Sequence, residues 1–176
     1  IDGTLWKFSK MRPSNFPEVR IAQLAALICE EESLFSKIIE SDNVEALQRL
    51  LRCTPSEYWD THYRLGKSSV WRLKQLEGSS LANLLINVVI PTKFAYAERI
   101  GDADAQEVAL SLLELIPEEK NSIVKGWDEF FKQKRVDKEG SCAYRSQALI
   151  ELKSRYCDRS DCLRCPFGTR FLKSDF

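Results

Sequence analysis

The sequence predicts an all-α fold, an irregular packing of about seven to nine short helices, and three observations support this prediction. Apolar residues recur at helical spacing through most of the 176 residues. No segment shows the sustained alternation of apolar and polar residues that is typical of a strand. The composition, 44% hydrophobic and 30% charged, is that of a globular protein with a buried core. We therefore predict one helical domain over residues 1–176.

The first half of the chain contains three helices with recognisable starts. Pro17 suits a first helical turn, and Asn15 is a candidate cap for the helix that follows. Two short amphipathic helices come next, SLFSKIIES and DNVEALQRLLRC, the second with Asp42 as a candidate cap. Thr54 opens a capping-box sequence, TPSE, which predicts a further turn or two before Gly66. The stretch GKSSVWRLKQLEGSS shows neither the helical spacing of apolar residues nor the alternation of a strand, and it is predicted to be a loop with a short helix.

An apolar run, LANLLINVVI at 81–90, predicts a buried helix capped by Ser79 or Ser80. We expect Pro91 to kink or break this helix, because proline removes a helical hydrogen bond. The run is too short to span a bilayer. Later helix boundaries are predicted from glycine, aspartate and proline: an end at Gly101, a start at Asp102 or Asp104, and a start at Pro117. The helix after Pro117 is expected to turn its aromatic side chains inward: Trp127, Phe130 and Phe131.

The charge balance and the first residues of the chain limit the partners that we expect. The 26 basic residues equal the 26 acidic residues, so a polyanion must be met by a local patch and not by a whole-protein field. The first residues contain no apolar segment of signal-peptide length, which predicts a cytoplasmic protein with reduced thiols and no membrane partner. The chain begins at Ile1, and we expect it to be the carboxyl-terminal part of a longer protein.

Three cysteines near the end of the chain form the strongest candidate site. Cys157, Cys162 and Cys165 follow the last predicted helix, CAYRSQALIELKSRYC, in a C-x4-C-x2-C spacing within a predicted loop at 157–168. Thiolates at this spacing can provide three corners of a tetrahedral site for zinc or an iron–sulfur cluster. The fourth ligand is open between Cys142, which is nearest in sequence, and Cys29, Cys53 and His62. The alternative is that these thiols are small buried side chains or an oxidised pair.

Two groups of cations are candidates for contact with nucleic acid. Arg12 and Arg20 lie in or after an opening segment that also contains the aromatic residues Trp6, Phe8 and Phe16. Such a mixture can stack on bases and neutralise phosphates. Arg159 and Arg164 lie among the three cysteines. The alternative interpretation is that the aromatic residues hold the opening segment against the helical core, while the cations stay in water.

His62 is the weakest candidate site, as a catalytic base or a metal ligand. It follows Trp59 by three residues and Tyr58 by four, so all three can share one helical face. A single histidine is more often a hydrogen-bonded structural residue. The GKS sequence that follows lacks the earlier glycine of a phosphate-binding loop, because Thr61 stands at that position. We do not expect this chain alone to be catalytic.

Five segments resemble a known family: RPSNFPEVRIAQLA, YWDTHYRLG, LLINVVIPTKFAYA, LIPEEKNSI and SQALIELKSRYCDRSDCLRC. Together they resemble the carboxyl-terminal half of an uncharacterised bacterial family, a domain of unknown function common in Bacteroidetes. Longer members carry upstream a Gly-Pro-Asp and Glu-Ile-His pattern that is similar to the sheet core of PD-(D/E)xK nucleases, and neither sequence occurs here. The resemblance implies that this chain is the helical accessory half, and that any nuclease carboxylates lie upstream of Ile1.

Two functional hypotheses follow. In the first, the chain is a helical accessory domain with a structural zinc or iron–sulfur site, and it helps a nuclease-like half to hold nucleic acid. In the second, it is a helical interaction or scaffold module without a nucleic-acid role. The salt dependence of nucleic-acid binding separates them, because neutralising phosphates makes affinity fall steeply with salt.

Overall fold

The computed structural model describes Arg12, residues 15–135 and residues 140–174, with only the backbone given for 171–174. The described residues form helices and one two-stranded sheet, which confirms the all-α prediction. The chain divides into two compact units, Ile1–Val89 and Ile90–Phe176.

Among its described residues, the first unit contains three α-helices followed by a fourth that continues into a π-helical turn. Their bounds are α1 Pro17–Glu30, α2 Leu34–Glu40, α3 Val44–Leu51, α4 Gly78–Leu84 and the π turn Leu85–Val89. Between α3 and α4 lie a 3-10 turn, Glu57–Thr61, and two short strands, β1 His62–Arg64 and β2 Lys67–Ser68. The buried apolar residues on the α-helices of this unit come from α1, α3 and α4: Val19, Leu27, Val44, Leu47, Leu51 and Leu81. Others lie on the π turn and the irregular segments: Cys53, Leu76, Leu85, Ile86 and Val89.

The helix starts of the first unit were predicted to within a few residues. Pro17 begins α1, as expected. The cap of α3 is Asn43, whose side chain accepts a hydrogen bond from the backbone N–H of Ala46 at 2.8 Å, so the choice of Asp42 was wrong by one residue. The start of α4 at Gly78 precedes both predicted caps, Ser79 and Ser80.

A β-hairpin replaces the helical turn that was predicted to run to Gly66. The 3-10 turn ends at Thr61, and β1 pairs antiparallel with β2, with His62 opposite Ser68 and Arg64 opposite Lys67. Gly66 adopts φ +69°, a conformation that glycine reaches without steric cost, and this allows the chain to reverse tightly. The prediction without strands missed this pair, because two strands of three and two residues are too short for alternation to be visible.

The segment after the hairpin is irregular but paired through its backbone. The N–H of Ser69 donates to the carbonyl of Thr61 at 2.7 Å, and the N–H of Arg72 donates to the carbonyl of Asp60 at 2.7 Å. Further along, the N–H of Leu76 donates to the carbonyl of Cys53 at 2.9 Å. This segment lies outside the helices and strands, so these bonds provide its backbone N–H groups with the partners that a helix or sheet would otherwise supply.

The apolar helix is longer than the sequence predicted. It runs from Gly78 to Ile100, through the π turn and into α5, Ile90–Ile100, so Pro91 does not break it. The π turn ends at Val89, two residues before Pro91, and a widened helical ladder there can absorb the missing N–H. By length and composition alone this helix could cross a membrane, although 39% of its apolar window is buried in the protein, and core helices meet the same criterion.

The second unit contains α5 and four further α-helices: α6 Ala103–Leu115, α7 Ser122–Lys134, α8 Ala143–Leu152 and α9 Pro166–Ser174. Gly101 ends α5 with φ +75°, as predicted. Of the two predicted starts of α6, Asp102 and Asp104, the structure has Asp102 as the cap, and its side chain accepts from Ala105 N–H at 2.9 Å. The start of α7 was predicted at Pro117, but it lies at Ser122. There the Asn121 side chain caps two backbone N–H groups.

Helix α8 is held by contacts along its length. The N–H of Ala143 donates to the carbonyl of Ile116 at 2.8 Å, and the Ser146 hydroxyl accepts from Glu119 N–H at 3.2 Å. The indole N–H of Trp127 donates to the carbonyl of Leu149 at 3.1 Å. These hydrogen bonds fix the helix that leads to the three cysteines. Phe130, which was predicted to point inward, is instead exposed.

Candidate functional site

The three cysteines lie in consecutive hydrogen-bonded turns after α8. A π-helical turn, Lys153–Cys157, extends α8, and the N–H of Ser160 donates to the carbonyl of Cys157 at 3.1 Å. The N–H of Cys165 donates to the carbonyl of Cys162 at 3.3 Å. The last helix of the chain then begins at the next residue. This end of the second unit is therefore an ordered set of turns, and the predicted loop at 157–168 is shorter than expected.

The thiols differ in exposure and do not converge in this structure. Cys157 and Cys162 are exposed, Cys165 is buried, and all of them are free. In the part of the chain that the structure describes, no three cysteine, histidine or acidic side chains are grouped closely enough to hold a metal ion. Cys142 precedes α8 while Cys157 follows it, so a helical rise of 1.5 Å per residue separates them by about 20 Å. The metal site stays a prediction.

The other candidates for a fourth ligand belong to the first unit. Cys29 is exposed on α1, and Cys53 is buried after α3. The Cys53 thiol donates to the backbone carbonyl of Gln23 at 3.2 Å. Burial raises the pKa of this thiol, with a smaller contribution from Glu30, while Arg20 acts in the opposite direction. Cys53 is therefore a structural side chain in this unit.

A close backbone contact fixes the turn that carries Cys162. A Cβ atom added at Gly168 would lie 2.2 Å from the carbonyl oxygen of Cys162, so only glycine fits there. The hydroxyl and the N–H of Thr169 both donate to the carbonyl of Cys165, at 3.0 and 2.9 Å. The first turn of α9 thus holds both ends of the C-x2-C sequence. The requirement for Gly168 was not visible in the sequence.

Surface ion pairs surround the turns from Cys157 to Cys165, which we call the cysteine turns. They join neighbouring cations and carboxylates: Lys153–Asp158, Arg155–Glu151 at 3.2 Å and Arg164–Asp161 at 3.6 Å. The hydrogen bond that the Lys153 ammonium donates to Asp158 raises the pKa of Lys153. Arg159 is exposed and forms no ion pair with any described residue. Because exposed ion pairs are weak, a phosphate can compete for Arg164 as well.

The two arginines near the start of the chain have different surroundings. Arg12 is exposed, whereas Trp6 and Phe8 lie outside the described residues. The Arg20 guanidinium donates to three side chains of the first unit: Gln23 at 2.8 Å, Asn15 at 2.6 Å and Ser80 at 2.8 Å. Burial lowers the pKa of Arg20, and Cys53 partly offsets this effect. Arg20 therefore joins α1 to the start of α4, which leaves its donors little freedom to contact a phosphate.

A buried polar network that sequence reasoning missed is centred on Gln23, which is 4% exposed. Its side-chain oxygen accepts from Arg20, and its amide N–H donates to the backbone carbonyl of Lys74 at 2.7 Å. A signal was present in the sequence. Gln23 lies four residues from both Val19 and Leu27, on the buried stripe of α1, where a polar residue needs a partner.

Lys74 is the second buried polar residue of this network, at 5% exposure. Its ammonium donates to the carbonyl of Asp60 at 2.9 Å and lies 4.1 Å from the ring centre of Tyr63. Burial lowers the pKa of Lys74, with Asp60 opposing and Arg72 reinforcing the change. Lys74 thus turns inward and holds the irregular segment against the 3-10 turn.

His62 lies within the hairpin and is in contact with Tyr58. The two rings are stacked, with centres 4.0 Å apart, and His62 Nδ1 lies 2.8 Å from the Tyr58 carbonyl oxygen. The Tyr58 hydroxyl accepts from Gly66 N–H at 2.8 Å. These contacts brace the hairpin, which agrees with the structural interpretation of His62.

Comparison with known proteins identifies a family. The model of a family described as protein of unknown function (DUF2851) matches residues 1–122. This range contains the hairpin and the Gln23 network, and the cysteine turns lie beyond it. A search of the curated proteins and a search of the solved structures each found no match.

Replacing Gly168 by alanine should destabilise the protein by about 1–3 kcal/mol, because the new methyl group would overlap the Cys162 carbonyl. Gly126→Ala is the matched control, since a Cβ at Gly126, within α7, meets no atom within 4 Å. Gly126→Ala should leave the free energy of unfolding unchanged or raise it. Urea denaturation measures the free energy of unfolding of both variants. Equal stability of the two variants would contradict the close contact.

The raised pKa of Cys53 predicts a loss of stability in alkali. A thiol that holds its proton more tightly when folded contributes its full stabilisation below the unfolded pKa of about 8.5, and the contribution is lost as the pH rises through the folded pKa. Urea denaturation of wild type and of Cys53→Ala at several pH values should show a smaller alkaline fall for the variant. Cys29→Ala, at an exposed thiol, should follow the wild type.

Proposed function

We propose, since the chain belongs to the DUF2851 family, that it is a helical accessory domain whose cysteine-rich end holds a structural metal and supports nucleic-acid binding. One observation carries the proposal. Arg159 lies between Cys157 and Cys162, and Arg164 lies between Cys162 and Cys165. A metal that joined these thiols would therefore fix both arginines.

The donor set suits zinc or an iron–sulfur cluster. Thiolates are the ligands that both prefer, and the C-x4-C-x2-C spacing is also that of plant-type [2Fe–2S] proteins, whose fourth cysteine is distant in sequence. Cys157 and Cys162 are exposed, so rotation of their side chains is not opposed by packing. When bound, the metal would cross-link the end of α8 to the start of α9.

Local charge supports a polyanion partner. The residues from Cys162 to Ser174 contain three cations and no carboxylate, although the whole chain is neutral. Arg170 of this stretch is exposed, and Arg164 is exposed with only a weak ion pair to Asp161, so both can neutralise phosphates. The sequence resemblance adds a proposed partner, the nuclease-like amino-terminal half of a longer protein. In this proposal the upstream half carries the catalytic carboxylates, and the present chain strengthens its hold on nucleic acid.

An exposed apolar stripe favours a second candidate function, a protein-interaction module without a nucleic-acid role. Ile21, Leu24 and Ile28 are exposed at helical spacing on α1. Adjacent exposed apolar residues often mark a surface for another protein. The absence of nucleic-acid binding at low salt would favour this second function.

Replacing Cys162 by serine should lower the metal content and the melting temperature together, because a structural metal contributes its binding energy to folding. Mass spectrometry and a visible spectrum, on protein purified without oxygen, measure the metal. Cys29→Ser is the control, because it removes an exposed thiol from α1. A wild type that contains no metal and melts at the same temperature as Cys162→Ser would refute the metal site.

Replacing Arg159 or Arg164 by alanine should reduce the slope of the logarithm of the binding constant against the logarithm of salt concentration. Each lost phosphate contact lowers that slope by about 0.7–0.9. Filter binding of DNA at several salt concentrations measures it. Lys125→Ala, at an exposed cation of α7, is the control. Unchanged slopes in both arginine variants would remove the cysteine turns from the binding surface.

A further inference from the structure

The carboxylate-free stretch with the most cations lies in the first unit, at residues 61–76, which we call the basic segment. Its sequence, THYRLGKSSVWRLKQL, contains four cations and lies between Asp60 and Glu77. In a chain with equal numbers of basic and acidic residues, this is a local excess of positive charge. A local excess is what a neutral protein needs to meet a polyanion.

The four cations of the basic segment have two different roles. Lys74 is buried against Tyr63, and Arg64 lies 3.7 Å from Glu18. These two serve the internal structure. Lys67 and Arg72 are exposed, one in β2 and the other in the irregular part that follows. The two exposed cations of the segment therefore lie on either side of Trp71 in the sequence.

Trp71 is held in solvent between two backbone hydrogen bonds. It is 65% exposed, and the preceding Val70 is 87% exposed. On either side, Ser69 and Arg72 donate their N–H groups to the carbonyls of Thr61 and Asp60, both at 2.7 Å. The bonds restrict the backbone next to the indole ring, so a ligand would meet it with little loss of conformational entropy.

An exposed aromatic ring beside cations is suited to single-stranded nucleic acid. Unpaired bases present their faces to aromatic side chains, and the loss of one such stack weakens binding by about five- to hundredfold. In a duplex these faces are covered by neighbouring bases. Tryptophan with arginine is also common where proteins bind one another, but the absence of acidic residues from the segment favours a polyanion.

We propose that the basic segment binds single-stranded nucleic acid, with Trp71 stacked on an unpaired base and Lys67 and Arg72 in contact with phosphates. This inference rests on the nucleic-acid role proposed above. It adds a second binding surface and specifies that the nucleic acid is single-stranded. The surface lies within the range that the family model matches.

The test is fluorescence anisotropy of a labelled oligothymidylate and of a duplex of the same length, titrated with the whole chain. Trp71→Ala should weaken binding of the single strand about tenfold without changing the salt slope, because it removes a stack and no charge. Trp71→Phe should retain most of the affinity. Arg72→Ala should lower the slope for the single strand by about 0.7.

Tyr144→Ala, at an exposed aromatic residue of α8, is the matched control and should bind as the wild type does. Circular dichroism melting of Trp71→Ala should be unchanged, since the ring is largely in solvent. Wild-type affinity in Trp71→Ala, or equal affinity of the wild type for duplex and single strand, would overturn the inference.

The outcomes distinguish this inference from the function proposed above. Loss of binding in Arg159→Ala and Arg164→Ala, with full binding in Trp71→Ala, would overturn the inference and leave the proposed function standing. Loss of binding in Trp71→Ala alone would support the inference and show that Arg159 and Arg164 do not belong to the binding surface. A wild type that binds no oligonucleotide would overturn both.

Discussion

The first unit depends on the hydrogen bonds of one buried residue, Gln23. Its side chain and backbone contact three other parts of the chain, at Arg20, Cys53 and Lys74. The segment that includes Lys74 belongs to no helix or strand, so its backbone groups need partners elsewhere. An apolar residue in place of Gln23 would leave buried groups without partners, at a cost of about 1–3 kcal/mol for each group. The bond from Gln23 to Lys74 thus holds the segment that follows the hairpin against α1.

A similar constraint operates in the second unit, where irregular backbone is again held by specific contacts. The cysteine turns pack against the first turn of α9, and Gly168 allows the carbonyl of Cys162 to approach closely. Tight turns of this kind keep exposed side chains in place without burying them. A metal bound by the thiols would add a cross-link to turns that hydrogen bonds already order.

Both units therefore contain a stretch that carries cations and no carboxylate. One carboxylate-free stretch lies around the hairpin, at residues 61–76, and another follows Cys162. Because the whole chain is neutral, these stretches are where a polyanion would find a favourable potential. Arg20, which lies outside both stretches, is bonded to three neighbouring side chains. Among the predicted cations, sequence proximity to aromatic residues was thus a poor guide to availability.

The sequence by itself determined what depends on neighbouring residues: the helical class, the start of α1 at Pro17, the glycine end of α5, the start of α6 close to Asp102 or Asp104 and the membership of a family of unknown function. Helical period and capping are properties of a few consecutive residues, so they can be read without the fold. The spacing of Cys157, Cys162 and Cys165 was visible in the same way, and the zinc or iron–sulfur site inferred from it remains a prediction.

Only the tertiary structure decided the hairpin, the inward turn of Lys74 and the closeness of Gly168 to Cys162. It also gave Arg20 its structural role. The hydrogen bonds responsible include those of Gln23 to Lys74 and Arg20 to Ser80, which join residues 51 and 60 positions apart. Such bonds form only when distant segments pack together, and no local pattern of residues encodes them.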